Sequence, residues 1–292
     1  MPPIYLDFAA TTPTDPRVIE VMLPFFYEQF GNAASRTHVY GWDAEKAVKQ
    51  SRQQIASLIN SKPEDIIFTS GSTESINFCL KGVCEANSKK GNHIITLPTE
   101  HKAIIDTCKY LENQGAKITF LPVKENGLVD LDKLKNSITE ETILVSIMYA
   151  NNETGVIQPI KEIIDIVHSK GAYFMSDATQ ALGKIPINVK DNDIDILCFS
   201  GHKIYGPKGI GGIYIKTQYP KIKIAPLLHG GGHERGWRSG TLNVPAIVGL
   251  GKACEICKNE MESEGKKTKI LRDKLEKELL KIKGTSIHSI NS

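Results

Sequence analysis

Thr142-Ile-Leu-Val-Ser-Ile-Met148, Ile160-Lys-Glu-Ile-Ile-Asp-Ile-Val-His168 and Ala172-Tyr-Phe-Met-Ser176 follow one another within residues 142–176. The first and third are short apolar runs rich in β-branched and aromatic side chains. The second sets Ile160, Ile163, Ile164 and Val167 at helical spacing. Strand, helix and strand in so short a stretch form a crossover unit, which joins parallel strands. The rhythm spreads outward from there. Residues 43–59 carry Ala44, Ala47, Val48, Ile55, Leu58 and Ile59 in helical register. A strand is expected at 66–69, a helix at 74–85, a strand at 93–97, a helix at 102–112, a strand at 117–121 and a helix at 131–137. Downstream, residues 194–199 read as a strand. The pattern predicts an α/β protein with a mostly parallel sheet, helices on both faces and ligands at the carboxyl ends of the strands. Past residue 245 the alternation stops. Residues 245–283 read as helix, and the mixed-sign stretch 260–283 predicts a solvated amphipathic helix, not a nucleic-acid arm.

Composition narrows the function classes. The 292-residue chain carries 36 Lys+Arg against 33 Asp+Glu, a net charge of +3, so no nucleic-acid partner is expected. Its 40% of apolar residues can fill a sizeable core. No apolar run approaches the roughly 20 residues of a membrane helix, and Met-Pro-Pro-Ile-Tyr-Leu-Asp lacks the order of a secretory leader; no membrane association and a cytoplasmic location are expected. The six cysteines are sparse and unpaired in pattern, which fits a reducing compartment. Cys254 and Cys257 form a lone C-x-x-C inside the last helix, with no second ligand pair at zinc spacing, and read as plain helix residues.

Three places carry candidate chemistry. Thr69-Ser-Gly-Ser-Thr-Glu74 lies between a strand and a helix. Gly71 allows an unusual backbone angle, while Ser72 and Thr73 offer hydroxyls and N–H groups to a phosphate, or simply cap the helix. Asp177 ends a buried strand, where a carboxylate is costly unless paired; otherwise it caps the next turn. Lys203, in Ser200-Gly-His-Lys, follows another strand. It is either a surface lysine beside a flexible glycine-rich turn or a partly desolvated amine that attacks an aldehyde. Lysine, strand-end carboxylate and helix start together suit pyridoxal 5'-phosphate, which needs an amine, a partner for its pyridine nitrogen and a phosphate cradle.

Taken with these, Tyr5-Leu-Asp-Phe-Ala-Ala-Thr-Thr-Pro, Phe30-Gly-Asn-Ala-Ala-Ser, Gly71-Ser-Thr-Glu-Ser, Glu100-His-Lys-Ala, Asn151-Asn-Glu-Thr-Gly, Asp177-Ala-Thr-Gln, Ser200-Gly-His-Lys and His229-Gly-Gly-Gly-His-Glu-Arg-Gly resemble the cysteine desulfurases of iron–sulfur cluster assembly. These are class V aminotransferase members of the fold-type I pyridoxal-phosphate proteins. The resemblance implies a three-layer fold and a homodimer, with L-cysteine converted to L-alanine and sulfur passed on to iron–sulfur scaffold or other sulfur-acceptor proteins. It implies that Lys203 holds the cofactor and shuttles the substrate α-proton, that Asp177 meets the pyridine nitrogen and that His101 stacks on the ring. In isolation His101 reads as a loop histidine. Gln180 and Asn152 would bond the phenolic oxygen; Ser72, Thr73, Ser200 and His202 would cradle the phosphate; Thr241 would reach the phosphate of the neighbouring subunit.

One feature departs from that family. Its sulfur-accepting cysteine lies on a mobile Ser/Gly-rich loop, and none of the six cysteines here has that context. The expected division is an N-terminal segment of a small domain at 1–12, a large cofactor domain at 13–254 and the start of a shortened small α+β domain at 255–292. Competing readings are a selenocysteine lyase, another class V relative, or a non-catalytic chain that dimerises or binds a partner.

Overall fold

Every expected strand forms in the computed structural model, which describes residues 3–218 and 221–287. They are β1 (Ile66–Thr69), β2 (His93–Thr96), β3 (Lys117–Phe120), β4 (Thr142–Ser146), β5 (Tyr173–Asp177) and β6 (Ile196–Ser200). A further strand, β7 (Gly211–Ile215), occupies the glycine-rich run that the sequence offered as a turn. Its glycines are there for close approach: a Cβ on Gly211 would lie 2.5 Å from the Phe199 carbonyl oxygen and 2.6 Å from the Gly71 Cα. Without β-branched side chains at these positions, the strand leaves little pattern to read. The helices are α1 (Pro16–Met22), α2 (Pro24–Tyr27), α3 (Val39–Ile59), α4 (Ser72–Ala86), α5 (Lys102–Asn113), α6 (Leu131–Ser137), α7 (Ile160–Ser169) and α8 (Val244–Leu279).

The strands form one seven-stranded sheet in the order β1-β7-β6-β5-β4-β2-β3. All neighbours among β2 to β6 run parallel, while β7 is antiparallel to both β6 and β1. Two successive reversals restore the direction of β1. The carboxyl ends of β1 to β6 therefore lie along a single edge.

Successive strand residues point to opposite faces, and the core divides accordingly. Ile66, Phe68, Phe174, Leu197 and Phe199 join one apolar cluster with Ile55 of α3, Ile163 and Ile164 of α7 and Leu250 of α8. Ile67, Met175, Ile196 and Cys198 join the other, with Ile76 and Leu80 of α4 and Ile104 and Cys108 of α5. Burying each large side chain contributes about 1.5–3 kcal/mol. Because both faces are covered, the strands read as continuous apolar runs without alternation. The result is the three-layer, fold-type I α/β architecture.

Two devices hold the edges. Along α8, Gly251 lets the helix approach α3 so closely that a Cβ would lie 2.7 Å from the Ser51 Cα. The helix is continuous through residues 254 and 255, so the expected domain boundary falls inside it. Residues 262–286 are exposed, as expected of a solvated helix, although α8 ends at Leu279, short of the expected 283. Of the terminal stretch, residues 288–292 lie outside the described residues. The loop at 229–241 is tied to β1 by buried Glu234, which accepts the Phe68 N–H at 2.8 Å and pairs with Arg52 at 2.6 Å. Arg238 pairs with Glu74 of α4 at 2.7 Å.

Candidate cofactor site

At the shared edge lies a cavity of about 510 Å³. After β1 the backbone turns at Gly71, with φ of +152°, a conformation that side chains disfavour, and α4 begins at Ser72. Gly71 brings no side chain to cap the helix start, so the first N–H groups of α4 are left for a ligand beside the Ser72 and Thr73 side chains on the cavity wall. After β2 the chain turns to His101, the N-cap of α5, whose Nδ1 accepts the Ala103 N–H at 3.1 Å. The neutral ring therefore carries its proton on Nε2. After β4 come Met148, Ala150 and Asn152, and the Asn152 amide donates to Glu153 Oε1 at 2.6 Å.

Asp177 closes β5 and is 5% exposed. Its Oδ1 accepts both the Thr179 N–H (2.9 Å) and the Thr179 hydroxyl (2.5 Å), so Oδ2 is left for a ligand. Burial pushes the Asp177 carboxyl up; the Thr179 bonds and the nearby His101 and Lys203 pull against it. Gln180 donates to the Ala9 carbonyl at 2.9 Å and accepts from Lys184 at 2.5 Å. After β6 a short 3-10 turn, Gly201–Lys203, delivers Lys203 to the cavity. Its ammonium donates to the Ala9 and Ala10 carbonyls at 2.6 and 2.7 Å. Burial lowers its proton affinity, opposed by Asp7, Asp177 and Glu153. His202 is lowered by burial and by the cations Lys203, Lys208 and Lys184, and its Nδ1 meets the Thr11 hydroxyl at 3.0 Å.

Ser72, Thr73, His101, Asn152, Asp177, Gln180, His202 and Lys203 thus gather around one cavity. Ser200 is buried just behind it, its hydroxyl 3.8 Å from where a Cβ of Gly71 would stand. Thr241 is exposed and outside the cavity wall. Sequence reasoning passed over Thr179, for which the short Asp-Ala-Thr turn was the available signal, and Glu100, whose burial nothing local announces.

A second cavity, of about 690 Å³, adjoins the first and shares Ala9 and Lys203 with it. Its walls are largely apolar, among them Phe8, Val18, Ile204, Ile256 and Met261, and Cys257 reaches it from α8. Cys79, Cys108, Cys198 and Cys254 are buried, while Cys84 and Cys257 are half-buried. Burial pushes the thiols of Cys198 and Cys254 up, and those of Cys108 and Cys257 up to about 12 and about 11.

An amine and a carboxylate on neighbouring strand ends, beside a helix start on a mostly parallel three-layer sheet, define a fold-type I protein with a cofactor-type cavity. The chain belongs to the class V aminotransferase family, whose profile matches residues 4–292. It is 54% identical over 272 residues to cysteine desulfurase IscS of Rickettsia massiliae (strain Mtu5), covering 93% of this chain and 66% of that one. The chain thus spans about two thirds of the length of such curated relatives. Among solved structures, a NifS-like protein superposes with a TM-score of 0.92 at 44% identity, over 95% of this chain and 76% of that one. A structure of SspA in complex with cysteine matches with a TM-score of 0.83 at 40% identity, over 86% and 72% of the two chains. The resemblance carried by the motifs is the relationship these comparisons find.

Proposed function

We propose that this chain is the cofactor-binding part of a cysteine desulfurase, holding pyridoxal 5'-phosphate in the 510 Å³ cavity and engaging L-cysteine there, with L-alanine the product of the complete reaction. The observation that carries the reading is Lys203 and Asp177 lining one cavity beside the Gly71 turn. The donor set fits the group: an amine, a buried carboxylate with one oxygen spare, an uncapped helix start and two hydroxyls.

Each residue then has work to do. Lys203, its proton affinity lowered by burial and its amine now held by the Ala9 and Ala10 carbonyls, would be the residue that holds the cofactor through its aldehyde group. Asp177 would hold the pyridine nitrogen through Oδ2, with Thr179 keeping the carboxylate in place. The open N–H groups of α4, with Ser72, Thr73 and His202, hold the phosphate, and Ser200 supports the Gly71 turn. His101, with its proton on Nε2, would pack against the bound ring, and Gln180 and Asn152 would offer their amides to its oxygen substituent. When bound, pyridoxal phosphate supplies an electron sink for a carbanion at the substrate α-carbon. Lys203 moves the α-proton. The six thiols are raised or sequestered, so the sulfur acceptor is read as a different thiol, with scaffold or other acceptor proteins downstream. Six free cysteines suit a cytoplasmic setting.

The test is direct. The loaded chain should be yellow, and borohydride should fix a pyridoxyl label on the peptide containing Lys203. Added L-cysteine should shift the visible band while releasing no alanine. An unchanged band and label in Lys203→Ala would overturn the assignment, and alanine release abolished by mutating one of the six cysteines would overturn the claim about the thiols. We also read the chain as one half of a homodimer, since exposed Thr241 meets a phosphate only if a second copy brings one. Light scattering that finds a monomer at micromolar concentration with cofactor fully bound would sink that reading.

A further inference from the structure

Glu100 is a buried carboxyl that does not line the cofactor cavity. It is 5% exposed, in the turn between β2 and α5, directly before His101. Its Oε1 accepts the Met148 N–H at 2.7 Å. Its Oε2 is sealed from solvent and has no hydrogen-bond partner among the described residues. A parallel tie runs beside it, the Asn151 amide donating to the Thr99 carbonyl at 2.9 Å. Asn151 Oδ1 in turn holds the Glu153 and Thr154 N–H groups, both at 2.9 Å. Two consecutive residues of the turn that carries His101 are thus bonded to two positions of the turn that carries Met148 and Asn152, and these last three side chains line the cavity.

We propose that Glu100 is a positioning residue, an uncharged brace that locks the His101 turn to the Met148–Asn152 turn and leaves Asp177 to carry the negative charge of that wall. This rests on reading the cavity as a cofactor site.

An ionised Glu100 would be a buried charge facing a single N–H group, an arrangement that proteins avoid. Burial pushes its carboxyl well above the usual range; the Met148 N–H pulls against this, and the carboxylate of Asp177 at the end of β5 pushes it further. From α5, Cys108 also faces it, a thiol itself raised by burial and by Glu100. Asp177 differs in having two Thr179 donors and the nearby Lys203 and His101. Of two neighbouring buried carboxyls, the supported one keeps the charge and the other keeps a proton. Since Oε1 is occupied as an acceptor, that proton belongs on Oε2.

Glu100→Gln preserves the acceptor for Met148 and the absence of charge, whereas Glu100→Leu removes both polar atoms. In the full chain, Glu100→Gln should leave the His101 imidazole NMR signals in place and pyridoxal phosphate affinity within about twofold, while Glu100→Leu should move those signals and weaken affinity about tenfold. The pH profile of thermal unfolding gives a second readout without cofactor. A raised folded pKa means that Glu100 stabilises fully below the unfolded glutamate value of about 4.3 and loses that contribution as pH rises through the folded value. The wild-type chain should show this loss, and Glu100→Gln should lack it. If Glu100→Gln is as damaging as Glu100→Leu, or if its pH profile matches wild type, the uncharged brace is wrong. If Glu100→Leu leaves His101 unmoved, the positioning role is wrong; should it fail to fold, the glutamine variant and the pH profile decide. A wild-type chain that binds no pyridoxal phosphate at all would sink the cofactor reading, leaving the His101 signals to judge the brace.

Discussion

The two cavities that meet at Lys203 are built in different ways. The smaller takes most of its walls from the segments that follow strands β1, β2, β4, β5 and β6, with Asp7, Ala9 and Ala10 of the N-terminal segment closing it. The larger is walled by α8, by α1, by Phe8, Ala9 and Thr12 and by residues 183–185 and 203–205, an apolar surface among charged side chains such as Arg17, Lys184, Glu260 and Lys269. Strand ends in a parallel sheet collect polar groups from distant parts of the chain at one edge, where backbone N–H groups and unpaired carboxylates are available. A helix side offers apolar area and long charged side chains, but its backbone N–H groups are already bonded within the helix. The difference favours the smaller space for the proposed cofactor, even though the larger one has more room.

That contrast can be tested in order of effect. Within α8, the two halves of the helix should respond differently. Leu250, fully buried, should cost about 2–5 kcal/mol as Leu250→Ala, while Leu271, 67% exposed, should change stability by no more than about 0.5 kcal/mol as Leu271→Ala. Equal losses in urea melts would mean that the outer half of α8 is packed as firmly as the inner half. Next in size, Asp177→Ala should weaken pyridoxal phosphate binding about ten- to a hundredfold, the worth of a charge-assisted bond. In the larger cavity, Cys257→Ser should leave cofactor affinity unchanged. Burial, Glu260 and, in opposition, Lys184 place the Cys257 thiol at about 11, so alkylation by iodoacetamide should be slow at neutral pH and quicken as pH rises toward that value. Rapid alkylation at pH 7 would show an activated thiol and reopen the assignment of chemistry to the smaller cavity alone.

How much of this was legible beforehand varies by residue. The strand Ile66–Thr69 and the helix Leu131–Ser137 have the bounds that periodicity predicts. Asp177 and Lys203 stood out because each follows an apolar strand, and strand ends are where such sheets bind ligands. Strand β7 was missed because Gly211 stands where backbone approaches closely and Gly212 where the Phe199 ring packs, which leaves no side-chain pattern. The helix expected at 245–283 forms as α8, Val244–Leu279, and the expected domain boundary after residue 254 lies within it.

By itself the sequence determined the class of fold, the order along the chain of all its strands but β7, and the residue types able to hold a phosphate, a pyridine nitrogen and an aldehyde, because these follow from periodicity and local chemistry. Only the tertiary structure decided which of them share a cavity, since that depends on the spatial order of the strands and on the double reversal at β7 that returns β1 to the common direction. It also decided the state of Glu100. A glutamate beside a histidine reads as polar surface until the fold closes over it, and the energy of its charge is set by the water it loses and by Asp177, 77 positions further along the chain.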